Sequence, residues 1–413
     1  QQFTQGSGYK SFDYYSAGVN VLIDKFLPRR DWLNQLKWRG SWSVVGNPIP
    51  NTLFARQSYD FSNGTISTRP PLFDDPQPET TTSFETGLDV WMFENKFNFD
   101  LTYYNSTLRN QFLYVTTANG ESKPVNTGKI RNYGLEFQAS YRWNINKDWR
   151  WQTGFNIAWN DNRILETYKT ESGAPYEVQM GPNAFKIKYV EGGRYGDIYV
   201  NSFARDENGH IKINDAGNYE NAVPVMASGK YETKVGNMTS PVTLGWNNTF
   251  TWKNFTLYFL IDGRIGGKVM SLTEADLDLY GLSERSAQDR LNGERVMQNG
   301  KEYILKPLPD GSGNKVSVEN YYTTIGALPM EDHVYNATSL RMRDISLSYD
   351  MPNLFGKNQG MTAQFSVKNA FFIYKDSPVD PDISVSAANG YSGIDCYSLP
   401  TTRSFALTLK FNF

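Results

Sequence analysis

The chain has 413 residues, with 41 Lys and Arg against 43 Asp and Glu, a net charge of −2, and 15% aromatic residues. That balance, with no basic cluster, argues against nucleic acid as a partner; a single cysteine, Cys396, excludes a disulfide framework or multi-cysteine metal site; and no run of about 18 apolar residues provides a transmembrane helix. A mean hydropathy of −0.54 would describe an ordinary soluble protein, yet a transmembrane barrel reaches such a value too, because only alternate strand residues meet lipid and its loops are polar.

Gln1 to Gly8 carries neither the charged nor the apolar region of a signal peptide, so either processing has removed one or the chain is part of something longer. From there a period of two recurs in segments of barrel-strand length, roughly eleven by that template. The first sets Tyr15, Ala17, Val19, Val21 and Ile23 against Ser16, Gly18 and Asn20. The second sets Leu36, Trp38, Trp42 and Val44 against Lys37, Arg39, Ser41 and Ser43. Phe84 to Met92 and Phe97 to Tyr103 follow, then Tyr133 to Trp143, the cleanest interior alternation, and Trp149 to Trp159. Val242 to Trp252, Phe255 to Ile261, Ile345 to Tyr349 and Met361 to Val367 continue the pattern. The chain closes with Phe405, Leu407, Leu409, Phe411 and Phe413 against Ser404, Ala406, Thr408, Lys410 and Asn412, which looks like the last strand of an outer-membrane barrel.

The connections alternate between short (27–31, 94–96, 144–148, 253–254, 351–360) and long (47–82, 117–126, 164–238, 266–339, 375–400). Short periplasmic turns and long extracellular loops are the habit of such barrels, which would place Phe413 in the periplasm. An odd number of strands in a class of even-numbered barrels predicts that the chain is incomplete.

Five segments carry a resemblance. Leu36–Asn47 (LKWRGSWSVVGN), Pro78–Asp89 (PETTTSFETGLD), Ile130–Glu136 (IRNYGLE), Ser339–Pro352 (SLRMRDISLSYDMP) and Phe365–Phe371 (FSVKNAF) resemble, in order, the SusC/RagA family of TonB-dependent outer-membrane transporters. The resemblance implies an all-β, transmembrane antiparallel barrel of about 22 strands, of which residues 1–413 are the carboxy-terminal half, without the plug and amino-terminal domain. It further implies a SusD-like surface lipoprotein as lid and a TonB complex acting through the absent part. The rest of the barrel and a lipid bilayer would be structural partners, with transporter and lid in pairs that can dimerise. The expected location is the outer membrane of a Gram-negative, Bacteroidetes-like bacterium, and the expected cargo a large nutrient, oligosaccharide or oligopeptide. No cofactor is implied.

The residues themselves point to binding rather than catalysis. His210 and His333 lie in different long loops, outside any metal-ligand spacing, and read as solvated loop histidines. Arg205 to Gly217 has the oxygens of a calcium loop at Asp206 and Asn208 but Gly217 where a bidentate Glu is needed, so a hairpin about Asn208-Gly209 is expected. Asp380-Pro381-Asp382 with Asp395 can coordinate a cation, although a solvated loop is the favoured reading. No catalytic or metal residue is expected. Tyrosine-rich loops suit sugar rings or peptides, and Tyr195, Tyr199, Tyr391, Asp395 and Tyr397 are the substrate-binding candidates, with loop packing as the rival role. Glu85, Asp89, Asp100, Glu136, Arg142 and Arg150 are expected to face the lumen, lining a path or pairing against the plug. A barrel enzyme and a soluble glycan-binding all-β protein remain as other readings; the second must hide Trp38, Trp42, Trp143, Trp151, Trp246 and Trp252 from water.

Overall fold

The computed structural model describes residues 13–47, 59–60, 67–68, 77–116, 122–170, 172–180, 185–229, 231–327, 331–357, 359–385 and 393–412. Eleven strands form one antiparallel meander, each paired with its neighbours in sequence. They are β1 Tyr15–Leu22, β2 Leu33–Asn47, β3 Glu79–Met92, β4 Phe97–Thr116, β5 Ser122–Asn144, β6 Trp149–Glu166, β7 Val242–Trp252, β8 Phe255–Ile265, β9 Ser339–Gly356, β10 Gln359–Lys375 and β11 Ser404–Asn412. The eleven expected segments are all present, and the fold is that of a partial transmembrane barrel. Among the described residues β1 and β11 each have one neighbour, so both ends of the sheet are edges.

Register makes the two faces. Trp38, Leu88, Leu101, Phe137, Ile157 and Leu244 lie opposite one another across β2 to β7, and one residue along Arg39, Gly87, Thr102, Glu136, Ala158 and Thr243 do the same on the other side. Because the side-chain period is two, a single slip would turn every Trp inward, so this pairing is strongly specified. The apolar face is uncovered: Trp38, Trp42, Trp143, Trp246 and Trp252 are all exposed. No water-soluble core hides them, which removes the main support for the soluble reading.

The apolar face is banded. Trp149 stacks on Trp252 at 5.7 Å, Trp252 on Phe255 at 6.0 Å, and Phe255 meets Tyr349 at 4.5 Å, a row of rings at the short-turn end. Tyr133 and Trp159 meet at 5.7 Å toward the other end. Eight to ten residues separate Trp159 from Trp151 and Trp149, about 26–33 Å of strand. Tilted as barrel strands are, that spans roughly 20–25 Å of bilayer, the height of the apolar band between aromatic girdles. Breaks in the alternation serve the indoles: Trp38 donates to Thr86 Oγ1 at 2.9 Å, Trp246 to Thr153 Oγ1 at 2.9 Å and Trp151 to Asn248 Oδ1 at 3.1 Å. In hydrocarbon an indole N–H has no water to bond, so these partners are required.

Two expected boundaries move. The turn placed at 351–360 is shorter than expected, β9 running to Gly356 and β10 starting at Gln359, because β9 continues through a bulge between Met351 and Gly356, where Pro352 needs no ladder bond. The loop placed at 117–126 gives way to β4 and β5, which run 20 and 23 residues and rise past the membrane. No described helix is long and apolar enough to cross a membrane, which says nothing of strands.

The long connections differ most from expectation, since they form a folded cap rather than loops. In 167–241, Thr233–Asn237, Asp197–Val200, Lys186–Tyr189 and Val178–Met180 make a small antiparallel sheet. In 266–338 lie three helices, α1 Leu272–Leu279, α2 Glu284–Asn292 and α3 Val318–Ala327. Ser271 and Ser283 cap the first two, each accepting the N–H three residues on, at 3.0 and 3.1 Å. Lys268–Ser271 pairs with Val334–Asn336 and, in parallel, with Ile394–Asp395, tying the last long connection to this one.

Two apolar cores hold the cap. One joins Ile130 and Ile164 of the barrel rim to Phe185, Ile187, Ile198, Val200, Met270 and Ile394. The other joins Phe203, Ile211 and Ala222 to Leu308, Val316, Val318, Tyr322 and Ile325. Each large side chain so buried contributes about 1.5–3 kcal/mol.

Candidate functional site

The polar face of the sheet is built from side chains that reach across strands. Lys37 of β2 pairs with Asp89 of β3 at 2.7 Å, and Gln35 donates to the same carboxylate at 3.2 Å. Arg39 passes over Gly87 to bond Asp100 (2.7 Å from Nη2 to Oδ1) and Thr102 on β4. A Cβ at Gly87 would sit 3.1 Å from Arg39 Nε, so glycine is the gap that lets this arm cross. Tyr104 repeats the device over Gly134 to receive a bond from Asn160 at 2.6 Å.

Glu85, Asp89, Asp100, Glu136, Arg142 and Arg150 share this face by register. Asp89 and Asp100 are tied into ion pairs, while Glu85, Glu136, Arg142 and Arg150 have no ion-pair partner among the described residues. A hollow of about 490 Å³ opens on the wall, lined by Asp100, Glu136, Gln138, Asn156, Asn247 and Asp262. Its polar lining offers hydrogen-bond donors and acceptors, among them the carboxylates of Asp100, Glu136 and Asp262.

At the cap end of the wall three arginines gather. Arg341 bonds Asp380 at 2.5 Å, Arg343 bonds Asp262 at 2.5 Å and Asp382 at 2.7 Å, and Arg264 reaches Asp382. A bulge in β9 places Arg343 here, out of step with the alternation, and the Phe372 ring lies 3.9 Å beneath Arg341. Burial would raise the Asp380 carboxyl, but bonds from Arg341 and Thr401 outweigh it and hold the group below its ordinary range. This corrects the expectation for Asp380-Pro381-Asp382: the motif is neither a solvated loop nor a cation site but an anchor buried against arginines. Asp395 is buried elsewhere, accepting a 2.6 Å bond from Ser271 Oγ, the hydroxyl that caps α1.

The tyrosine candidates have different surroundings. Tyr195 stacks on Tyr189 at 4.6 Å and packs on the first core, its N–H bonded to Asn162 at 2.6 Å. Tyr199 lies half-buried with Lys188 Nζ 5.0 Å over its ring. Tyr397 is 65% exposed, its hydroxyl donating to Asp276 of α1 and its pKa pushed up to about 12 by that carboxylate. Tyr391 lies outside the described residues. Tyr195 packs on the core that contains Ile394, so the segments bearing Tyr195 and Asp395 fold against each other.

The histidines divide. His210 lies half-exposed on a hairpin closed by Asp206 and His210 at 2.8 Å, with Gly209 at φ +82, as the Asn208-Gly209 reading expected. His333 corrects its expectation: it is fully buried, with Nε2 2.8 Å from Asp278. Asp278 also accepts from Ser283 Oγ at 2.5 Å and Arg285 Nε at 2.9 Å. Burial alone would raise Asp278, but bonds from His333, Arg285 and Ser283 prevail and keep its pKa low. Capping serines at 271 and 283, each three residues before a helical N–H it caps and the first followed by Glu274, were the available signal for these helices.

The family model described as TonB dependent receptor-like, beta-barrel matches residues 2–262. TonB-dependent receptor P3 of Formosa agariphila is 23% identical across all of the chain and 42% of its own length. TonB-dependent receptor SusC of Bacteroides thetaiotaomicron is 24% identical across all of the chain and 41% of its own. Among solved structures, the RagAB peptide importer in its open-open state superposes with a TM-score of 0.71 at 18% identity, over 99% of this chain and 43% of that one. The chain thus spans less than half the length of these relatives.

Proposed function

The chain belongs to the TonB-dependent receptor-like β-barrel family, and we propose that it forms about half the wall, and part of the outer cap, of an outer-membrane importer of the SusC/RagA type. One observation carries the reading: a single sheet exposes an aromatic-banded apolar face on one side and an ion-paired, hydrogen-bonding face with a hollow of about 490 Å³ on the other, the division of a barrel wall between lipid and lumen. The sheet's two edges support a partner for each. Unpaired backbone groups cost several kcal/mol apiece in hydrocarbon, so the remainder of a closed barrel, with its plug, would pair with β1 and β11.

In this reading the plug and the TonB complex supply gating and energy, and a SusD-like lipoprotein closes over the cap. The cargo is a large oligosaccharide or oligopeptide. Tyr397 would meet it at the cap, with Tyr391 a further candidate, and Glu85, Glu136, Arg142 and Arg150 along the passage. The part played by this chain is binding and translocation: His333 spends its Nε2 on Asp278, not on a nucleophile.

Uptake of labelled oligosaccharides and peptides by cells carrying the full-length transporter tests the reading. Accumulation that requires TonB is the expected result; accumulation that persists without TonB, or turnover of ligand by the isolated transporter, would sink it.

A further inference from the structure

The cap contains a hollow of about 820 Å³ that none of the preceding roles uses, walled by α1, α2, α3 and the chain just after β10. Its lining has five carboxylates, Glu274, Glu284, Asp289, Asp332 and Asp376, against two cations, Arg285 and Lys306, a net of −3. Both cations are already committed. Lys306 pairs with Asp289 at 2.5 Å, and Arg285 bonds Asp278 behind the wall. Asp332 accepts from Tyr321 Oη at 2.5 Å and Asp376 from Asn336 Nδ2 at 2.6 Å.

Three polar groups of the wall that are not solvent-exposed remain without a partner among the described residues: the Glu274 carboxylate, the Tyr335 hydroxyl and Ser377 Oγ, the last on a residue only 2% exposed; the exposed Glu284 carboxylate is a fourth. A buried hydroxyl without a partner costs about 1–3 kcal/mol unless something in the hollow completes it. The aromatic faces follow the same division. Lys306 lies 5.1 Å over Tyr321 and Arg285 5.8 Å over Tyr322, whereas Tyr335 has no such cation. Burial, and next the Asp278 carboxylate, lift Glu274 above its ordinary pKa against the opposing pull of Arg285.

We propose that this hollow binds a ligand through a primary ammonium group, held by Glu274, Tyr335 and Ser377. An ammonium has three donors and no acceptor, which matches three free acceptors, and a cation is what a net-negative aromatic wall attracts. A neutral or acidic ligand would leave the carboxylates uncompensated. The group can belong to a peptide or to an amino sugar. The site is read from the cap alone and does not rest on the import reading.

Calorimetric titration of the full-length transporter in detergent, at low salt, tests it with trilysine, the glucosamine trimer, its N-acetylated neutral form and triglutamate. Trilysine or the glucosamine trimer is expected to bind, and which one does so identifies the source of the amine. The neutral and acidic trimers are expected not to bind. Glu274→Gln is expected to weaken binding about tenfold or more, the size of one charge-assisted bond. Glu284→Gln, on the exposed side of α2, is expected to weaken it less and carries the test if the first variant does not fold. Absence of binding by both amines, equal binding by the neutral trimer, or indifference to both variants would overturn the proposal. Loss of uptake with trilysine binding intact would fail only the import reading.

Discussion

The barrel sheet and the cap solve opposite problems with the same side chains. In the sheet, Trp246, Trp252, Phe255 and Leu347 are exposed and their stability comes from lipid; in the cap, Phe185, Val200 and Ile325 are almost wholly enclosed. Charges follow the same split. Lys37 and Asp89 pair across a partly exposed wall, whereas Asp278 and His333 are linked inside a protein core with Arg285 at its edge. The sheet needs only a faithful period of two, and the cap needs specific partners far apart in sequence.

The sharpest way to separate the two regions is to break a buried charge in the cap. Asp278→Ala leaves Arg285 and His333 uncompensated and should cost about 3–5 kcal/mol, read as faster amide exchange across α1 to α3 with the sheet still protected. Acid should do the same to the native protein. The folded pKa of Asp278 lies below its ordinary value of about 3.9, as does that of Asp380, so their stabilisation is complete above that value and drains away as pH falls through the folded pKa. Exchange measured from pH 7 to pH 3 should show the cap opening before the sheet; simultaneous opening would deny that they are distinct.

Phe185→Ala should cost about 3–5 kcal/mol of cap stability through the cavity it leaves, again sparing the sheet. The reciprocal change, Leu347→Arg on the outer face of β9, should cost about 2–4 kcal/mol of barrel stability in bilayers, and a neutral result would mean that this face does not meet lipid. On the inner wall, Gly87→Val should displace Arg39 from Asp100 at about 1–3 kcal/mol, visible as a lower unfolding midpoint. Smallest of all, Tyr397→Phe removes one exposed bond to Asp276 and should leave the midpoint unchanged while lowering ligand affinity at the cap.

Much of the sheet was legible because each strand carries its own instruction. The alternation from Tyr133 to Trp143 states which side meets lipid without reference to any other residue. The cap was not legible in that way. Ile325 of α3 and Phe203, more than a hundred residues earlier, share a core that no local pattern announces. Asp380 and Asp382 read as loop carboxylates until register in β9 brings Arg341 to the first, and the β9 bulge and β8 bring Arg343 and Arg264 to the second. His333 reads as a solvated histidine until α1 brings Asp278 against it in the folded cap.

Sequence alone determined the number of strands, their two faces and hence the solvent on each side, because a repeating local pattern meeting a uniform medium leaves nothing for distant residues to decide. Tertiary structure alone decided the cap, the arginine anchor and the net-negative hollow beside the helices, because a buried charge or an enclosed side chain is defined by what surrounds it, and those surroundings come from segments brought together only by folding.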